Sequence, residues 1–322
     1  MKRNLIFIFL FIAIQVGAQN TLRFKDGKFK IVQFTDLHWK EVDTCKVYND
    51  STVLLVQKII GEENPDLVVL TGDIVVAGDA DQGWKTLIGT LNEGNTPFVI
   101  TFGNHDTETN LTKRQQLELV MKESLNLTQN SGDFVDGVGN CHVSVKGEKD
   151  DGDRWILYFM DSQSYTGDSK NLGYYDWIKG SQVEWYRKVS GQYKLQNNKT
   201  LPALAFFHIP LPEYKIVKNN PETIGNKLEN ISSPKINSGL FSAFLEQKDV
   251  LGAFVGHDHN NDFIGVTSNI ALAFGRKTGY VSAYEELLER GGRVIILDED
   301  EASMETYIRT LDGAEFPFSY AR

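Results

Sequence analysis

The chain has 322 residues, 41% hydrophobic and 24% charged, with 28 glycines and 8 prolines, which excludes collagen-like, disulfide-scaffold and wholly disordered chains and allows one large domain or two ordinary ones. A net charge of −10 argues against general affinity for nucleic-acid backbone or anionic lipid, since both need a basic patch. It leaves small phosphorylated ligands open, because bound metal ions supply positive charge that the side-chain sum omits.

At the start of the chain, Lys2 and Arg3 precede an apolar run from Leu5 to Ile14, and Val16-Gly17-Ala18 offers small residues before a cut at Gln19. Residues 1–18 are therefore expected to be a cleavable signal peptide, with 19–322 a single domain in the periplasm or outside the cell. The apolar run falls short of the roughly 20 residues needed to span hydrocarbon. No later stretch is long and apolar enough to do so, so no membrane span is expected after cleavage. Loss of Lys2 and Arg3 leaves 31 basic against 43 acidic residues, a net −12. Cys45 and Cys141 are the only cysteines, which permits either one disulfide in an oxidising compartment or two free thiols. Asn-x-Ser/Thr patterns at Asn49, Asn110, Asn126, Asn198 and Asn230 are short enough to arise by chance.

Phe29 to Phe34 reads as a strand, followed by a helix over 52–62 with Val53, Val56, Ile59 and Ile60 on one face. Leu67 to Leu70 is a continuous apolar run of the kind buried in a sheet interior. A helical segment near Trp84 to Leu91 leads to a third strand, Phe98 to Phe102. Thr112 with Gln115 and Ser181 with Glu184 have capping-box spacing, marking helices over 113–124 and 182–189. Strands follow at 156–160, 204–207, 251–255, 270–273, 293–297 and 305–308, with a charged hairpin or loop over 146–154. The alternation predicts a layered α/β core.

The polar residues gather where strands end. Phe34 leads to Asp36 and His38, Leu70 to Gly72-Asp73, Phe102 to Gly103-Asn104-His105-Asp106, Phe207 to His208, and Val255 to Gly256-His257-Asp258-His259. Parallel strands place ligands at their carboxyl ends, where the loops leave a crevice. Asp36 with His38, and His257 with His259, are two apart, which sends both side chains to one side in extended backbone. With Asp73, Asn104 and His208 they make seven nitrogen and oxygen donors without a thiolate. That set suits Mn, Fe or Zn in a two-metal site, where one carboxylate bridges the ions and offsets their repulsion. Gly72 and Gly103 would let the backbone turn sharply there.

The ordered set Asp-x-His, Gly-Asp, Gly-Asn-His-Asp, His and Gly-His-x-His, over residues 36 to 259, resembles the calcineurin-like metallophosphoesterases. The segments 208–214 (His-Ile-Pro-Leu-Pro-Glu-Tyr), 256–263 and 173–178 (Gly-Tyr-Tyr-Asp-Trp-Ile) are similar to the branch holding plant purple acid phosphatase-like proteins and a related fungal cell-cycle phosphatase. The resemblance implies a four-layer αββα sandwich of two mixed β-sheets flanked by helices. It implies Asp36, His38 and His259 on one metal, Asn104, His208 and His257 on the other, and Asp73 between them. It also implies in-line attack of a metal-bridging hydroxide on a small phosphate ester. His105 would be the general acid, with Asp106 raising its pKa and holding its orientation. A phosphatase acting on monoesters is the leading expectation. The alternatives are a phosphodiesterase acting on cyclic nucleotides, glycerophosphodiesters or lipid head groups, and a metal- or phosphate-binding module without turnover. Tyrosine-ligated purple acid phosphatases carry Tyr three residues after the bridging Asp, where this chain has Val76; a colourless or weakly coloured protein follows.

Outside these clusters, His142 reads as a strand residue, and Tyr165, Tyr175, Trp177 and Trp185 as core anchors rather than a pocket wall. Arg276 and Lys277 read as exposed charge rather than a phosphate site, and Asp298 to Glu301 as a solvated turn.

Overall fold

The computed structural model describes residues 21–322, so the expected signal segment 1–18 lies outside the described residues. The first half of the chain runs β1 (Lys28–Phe34), β2 (Trp39–Glu41), α1 (Lys46–Glu63), β3 (Leu67–Thr71), β4 (Val75–Gly78), α2 (Ala80–Glu93), β5 (Phe98–Thr101) and α3 (Lys113–Val120). The second half runs β6 (Cys141–Lys146), β7 (Asp153–Phe159), α4 (Ser169–Leu172), α5 (Gly180–Asn197), β8 (Ala203–Phe206), α6 (Tyr214–Lys218), α7 (Leu240–Gln247), β9 (Val250–Val255), β10 (Ile264–Thr267) and β11 (Ile270–Phe274). It closes with β12 (Gly291–Asp298), β13 (Ser303–Thr310) and β14 (Ala314–Ala321).

Two six-stranded sheets result, in the orders β14-β13-β12-β1-β3-β5 and β10-β11-β9-β8-β7-β6. Both are mixed. In the first, β1, β3 and β5 are parallel while β12 runs antiparallel to β1. In the second, β7, β8, β9 and β11 are parallel and the edge strands β6 and β10 run antiparallel to their neighbours. The apolar runs of β3, β5, β8 and β9 are continuous because these strands bury both faces. Ile31, Leu67 and Val99 point inward and meet Leu157, Phe206 and Phe254 of the opposing sheet. The alternating residues Val32, Val68 and Phe98 point outward beneath Leu55, Ile59, Trp84 and Leu87 of α1 and α2. On the far side Tyr158 and Ala205 pack under Tyr186 of α5 and Phe244 of α7. Each such buried side chain contributes roughly 1.5–3 kcal/mol. The four layers are thus helices, sheet, sheet, helices.

Several elements differ from expectation. Helix α1 starts earlier, and Leu55 takes the buried place expected for Val53, which is only half-buried. The Thr112–Gln115 capping box forms, but its helix ends at Val120. Ser181 does not cap α5: its hydroxyl donates to Asp136, and Lys179 N–H donates to Gln182 Oε1 one turn earlier. Strands β2, β4, β10 and β14 and helices α4, α6 and α7 were not foreseen; they are short or lie at sheet edges, where periodicity is weak. His142 lies in β6, and residues 147–152 form the hairpin turn after it. Both cysteines are free: Cys45 is half-buried before α1, and Cys141 is buried in β6, where burial pushes its thiol up to about 12.

Arg276 and Lys277 are not exposed, since both side chains are buried. Arg276 Nε donates to Asp262 Oδ2 at 2.8 Å and its Nη2 to Glu315 Oε2 at 2.8 Å, so the charge is paired inside the protein.

Candidate metal centre

The parallel strands β1, β3, β5, β8 and β9 aim their carboxyl ends at one place, and the loops beyond them are locked by cross-loop backbone bonds. Asp36 N–H donates to Gly72 O at 3.1 Å, His38 N–H to Asp73 O at 2.9 Å, and Gly256 N–H to His208 O at 3.1 Å. Four of the expected ligands sit in the left-handed region, with φ of 52° at Asp36, 48° at His38, 50° at Asp73 and 82° at His257. Such backbone costs of order 1 kcal/mol or more per side-chain-bearing residue and persists where the surroundings enforce it. Two glycines make the loop packing possible. A Cβ at Gly72 would lie 2.6 Å from His208 Cγ, and one at Gly103 would lie 2.6 Å from Asp73 N and 2.7 Å from His208 Cδ2.

All seven expected donors are buried, and six of them converge in two groups. Asp36, His38 and His259 form one group and Asp73, His208 and His257 a second. Within the first, His259 Nε2 lies 3.3 Å and His38 Nε2 3.9 Å from Asp36 Oδ1. Within the second, His208 Nε2 is 3.2 Å from Asp73 Oδ2 and 3.3 Å from His257 Nδ1. Asp73 Oδ2 is also 3.5 Å from His38 Nε2, so a single carboxylate oxygen touches both groups, the placement a bridging ligand needs.

The donors fit a metal ion on their own terms. Asp36 Oδ1, His38 Nε2 and Asn104 Oδ1 are buried without a hydrogen-bond partner, a state that costs several kcal/mol unless something else satisfies it. His257 Nε2 is unpartnered as well, while several other ligand atoms are engaged behind the centre. Thr35 Oγ1 donates to Asp36 Oδ2 at 2.8 Å, His208 Nδ1–H to Thr71 O at 2.8 Å, and His259 Nδ1–H to Glu286 Oε1 at 2.7 Å. Asn104 Nδ2 donates to Tyr165 Oη at 2.9 Å, which fixes the side-chain amide and leaves its Oδ1 as the unpartnered atom. Such partners fix tautomer and ring orientation.

Electrostatics agree. Burial pushes His38 and His257 down to about 3, which keeps them neutral, the form that binds metal. Burial opposes charge on His208, but Asp73 and Asp36 outweigh it and push it up to about 9. Burial also opposes charge on Asp36 and Asp73, yet the facing histidines hold both well below the usual carboxylate range. The protein therefore gathers two carboxylates whose charge calls for cations.

His105 sits at the edge, its side chain 33% exposed and its ring 5.2 Å from that of His38. Its backbone N–H donates to Asp73 Oδ1 at 2.8 Å. Asp106 does not orient it. The carboxylate oxygens of Asp106 accept the backbone N–H groups of Asp73, Ile74, Val75 and Gly103, so this residue knots the β3 and β5 loops together. Glu108 takes the role expected of Asp106: its Oε1 is 2.8 Å from His105 Nδ1 and 3.2 Å from Tyr165 Oη.

Tyr165 and Tyr175 are half-buried at the site rather than core anchors. Tyr175 lies edge-on to His257 at 4.4 Å. Trp185 packs on the core as expected, and Trp177 carries Lys179 over its ring at 3.7 Å. Val76 is buried, at the position three beyond Asp73.

Sequence reading missed Glu108, Glu286, Tyr284 and Lys277. Tyr284 stacks on His259 at 4.7 Å and accepts its backbone N–H at 2.8 Å; Lys277 Nζ donates to Asp36 O at 2.9 Å and stands 3.6 Å from Glu286. Glu108 had a signal, since it lies three residues after His105 at a short helical turn. The others had none, because the segment after β11 that carries Tyr284 and Glu286 is irregular.

The calcineurin-like phosphoesterase family pattern matches residues 29–261. A protein of Arabidopsis thaliana named probable inactive purple acid phosphatase 29 is 32% identical over 307 residues, covering 86% of this chain and 79% of its own length. Phosphatase DCR2 of Saccharomyces cerevisiae is 33% identical over 281 residues, 78% of this chain and 47% of that protein. Among solved structures, a dimetal phosphatase from Danio rerio superposes with a TM-score of 0.63 at 14% identity, covering 91% of this chain and 98% of that one.

Proposed function

The chain belongs to the calcineurin-like phosphoesterases, and on that premise we propose that it is a dinuclear metal-dependent phosphomonoesterase, exported after removal of residues 1–18 as one domain over 19–322. The observation that carries the reading is His105, partly exposed at the rim of a buried donor set and paired through Nδ1 with Glu108.

Asp36, His38 and His259 would hold one ion, Asn104, His208 and His257 the other, with Asp73 shared. Bound there, Mn, Fe or Zn ions supply Lewis acidity and positive charge that offsets the phosphoryl oxygens. The chain supplies the rest. Burial of the donors excludes water behind the site, Asp73 positions the His105 backbone, and Glu108 accepts Nδ1–H so that Nε2 carries the proton delivered to the leaving alkoxide. Val76 leaves ferric iron without a tyrosinate, so the purified protein is expected to be colourless or weakly coloured.

The plant relative named as an inactive phosphatase favours a second reading, a binding module without turnover. Against it stand the gathered donor groups and their buried, unpartnered atoms. The deciding experiment is hydrolysis of p-nitrophenyl phosphate and bis-p-nitrophenyl phosphate after loading with Mn, Fe or Zn. Faster monoester turnover supports the phosphomonoesterase, and His105→Ala should cut turnover of an alkyl phosphate, whose poor leaving group needs the proton, about 100-fold or more with metal content intact. A diester preference would replace it with a phosphodiesterase, and metal binding with neither substrate cleaved would favour the binding module. Export is tested by the mass of the secreted chain, which should begin at Gln19.

A further inference from the structure

The two loops that follow β7 and α4 are tied to each other. Thr166 N–H donates to Tyr174 O at 3.1 Å, Asp176 N–H to Ser164 O at 3.0 Å, and Tyr165 and Tyr175 face each other in an antiparallel bridge. The pairing sets three tyrosine rings in one cluster. Tyr165 and Tyr175 lie 6.1 Å apart at 30°, and Tyr174 stands across them, 5.1 Å from the first at 62° and 5.0 Å from the second at 87°. The cluster reaches both sides of the metal centre, through Tyr175 on His257 at 4.4 Å and through Tyr165, which touches Asn104 and lies 6.2 Å from the ring of His105. Tyr174 is 61% exposed. A lone exposed tyrosine needs no explanation; here the exposed ring of Tyr174 stands at a right angle to Tyr175, so a planar group stacked on Tyr174 meets a second ring edge-to-face, the pairing aromatic rings favour. Glu108, hydrogen-bonded to both His105 and Tyr165, places a carboxylate on the side where the leaving group departs. That charge disfavours a leaving group bearing a second phosphate or a carboxylate.

We propose that Tyr174 and Tyr175 form a ring-stacking subsite, so that the substrate is a phosphate ester of an alcohol carrying an uncharged planar aromatic ring, such as a nucleoside or an aryl alcohol. The place of the phosphate rests on the phosphoester reading above; the place of the ring rests on the tyrosines alone.

The test compares pairs that share the ester and differ in the ring: 5′-AMP with ribose 5-phosphate, and benzyl phosphate with cyclohexylmethyl phosphate. Both binding by calorimetry and turnover are measured on the Mn-loaded full-length mature protein. Stacking of this kind favours the ring-bearing member by roughly 5- to 100-fold in at least one pair, in Kd and KM rather than in kcat. Tyr174→Ala should bring that ratio toward one, and Tyr174→Phe should keep it. Discrimination in the first pair identifies a nucleoside, and in the second alone an aryl ester. A ratio near one in both pairs, or a preference that Tyr174→Ala leaves intact, overturns the inference. Cleavage of p-nitrophenyl phosphate without any ring preference refutes this subsite alone. Ring preference in binding without cleavage upholds the subsite and refutes the phosphomonoesterase.

Discussion

Replacing Glu286 by Gln tests whether the centre is tuned from behind its ligands. The Glu286 side chain is 1% exposed and accepts Nδ1–H of His259 at 2.7 Å. Burial works against its charge, but His259 and Lys277 prevail and hold its carboxyl down at about 2. The amide keeps the shape and an acceptor but removes the charge. A hydrogen bond to a charged group is worth about 1.5–3 kcal/mol against about 1 kcal/mol for a neutral one, so His259 becomes a poorer donor by roughly 0.5–2 kcal/mol. At 1.36 kcal/mol per factor of ten, that is roughly a 2- to 30-fold loss of affinity at the Asp36, His38, His259 site. His208 is held by Thr71 O instead, so the second site should be nearly unchanged. Titration of metal-free protein with Mn²⁺, followed by electron paramagnetic resonance, separates the two steps. Equal weakening of both sites, or no weakening of either, would refute the argument.

Three further perturbations probe the frame. Gly103→Ala would force a Cβ to within 2.6 Å of Asp73 N, and urea denaturation should show a loss of roughly 2–4 kcal/mol together with lost metal binding. Arg276→Met would leave Asp262 buried without its guanidinium, which should destabilise by roughly 3–5 kcal/mol on the same assay. Iodoacetamide at pH 8 should alkylate Cys45 in the native protein and spare Cys141, whose thiol burial pushes up to about 12; both should react in urea. Because the unfolded thiol ionises first, Cys141 also predicts stability falling as pH rises from its ordinary value of 9.0 toward about 12.

The core strands were legible because runs such as Leu67–Leu70 and Leu251–Val255 are buried on both faces and bounded by polar turns. The ligands were legible for a related reason: a chemistry that needs many donors at one place writes them at several strand ends, and Asp36, His38, Asp73, His208, His257 and His259 meet, with Asn104 buried at the end of a neighbouring strand. The residues around them were not legible. Asp106 follows His105 directly and invited the role of its partner, yet in a tight turn adjacent side chains diverge, and the carboxylate three residues on comes round to the imidazole. Arg276 and Lys277 look like surface charge in one dimension, and only the fold brings Asp262, Glu315 and Glu286 to them. Edge strands such as β14 carry too little pattern to be read before their neighbours are known.

If the clustered donors hold two metal ions that serve ester hydrolysis, metal content per chain by mass spectrometry should give about two ions for the native protein together with p-nitrophenyl phosphate turnover. Asp73→Asn should lose both ions and turnover, because Asp73 is shared between the groups. A native protein that binds no ion under Mn, Fe or Zn loading would contradict the two-metal reading.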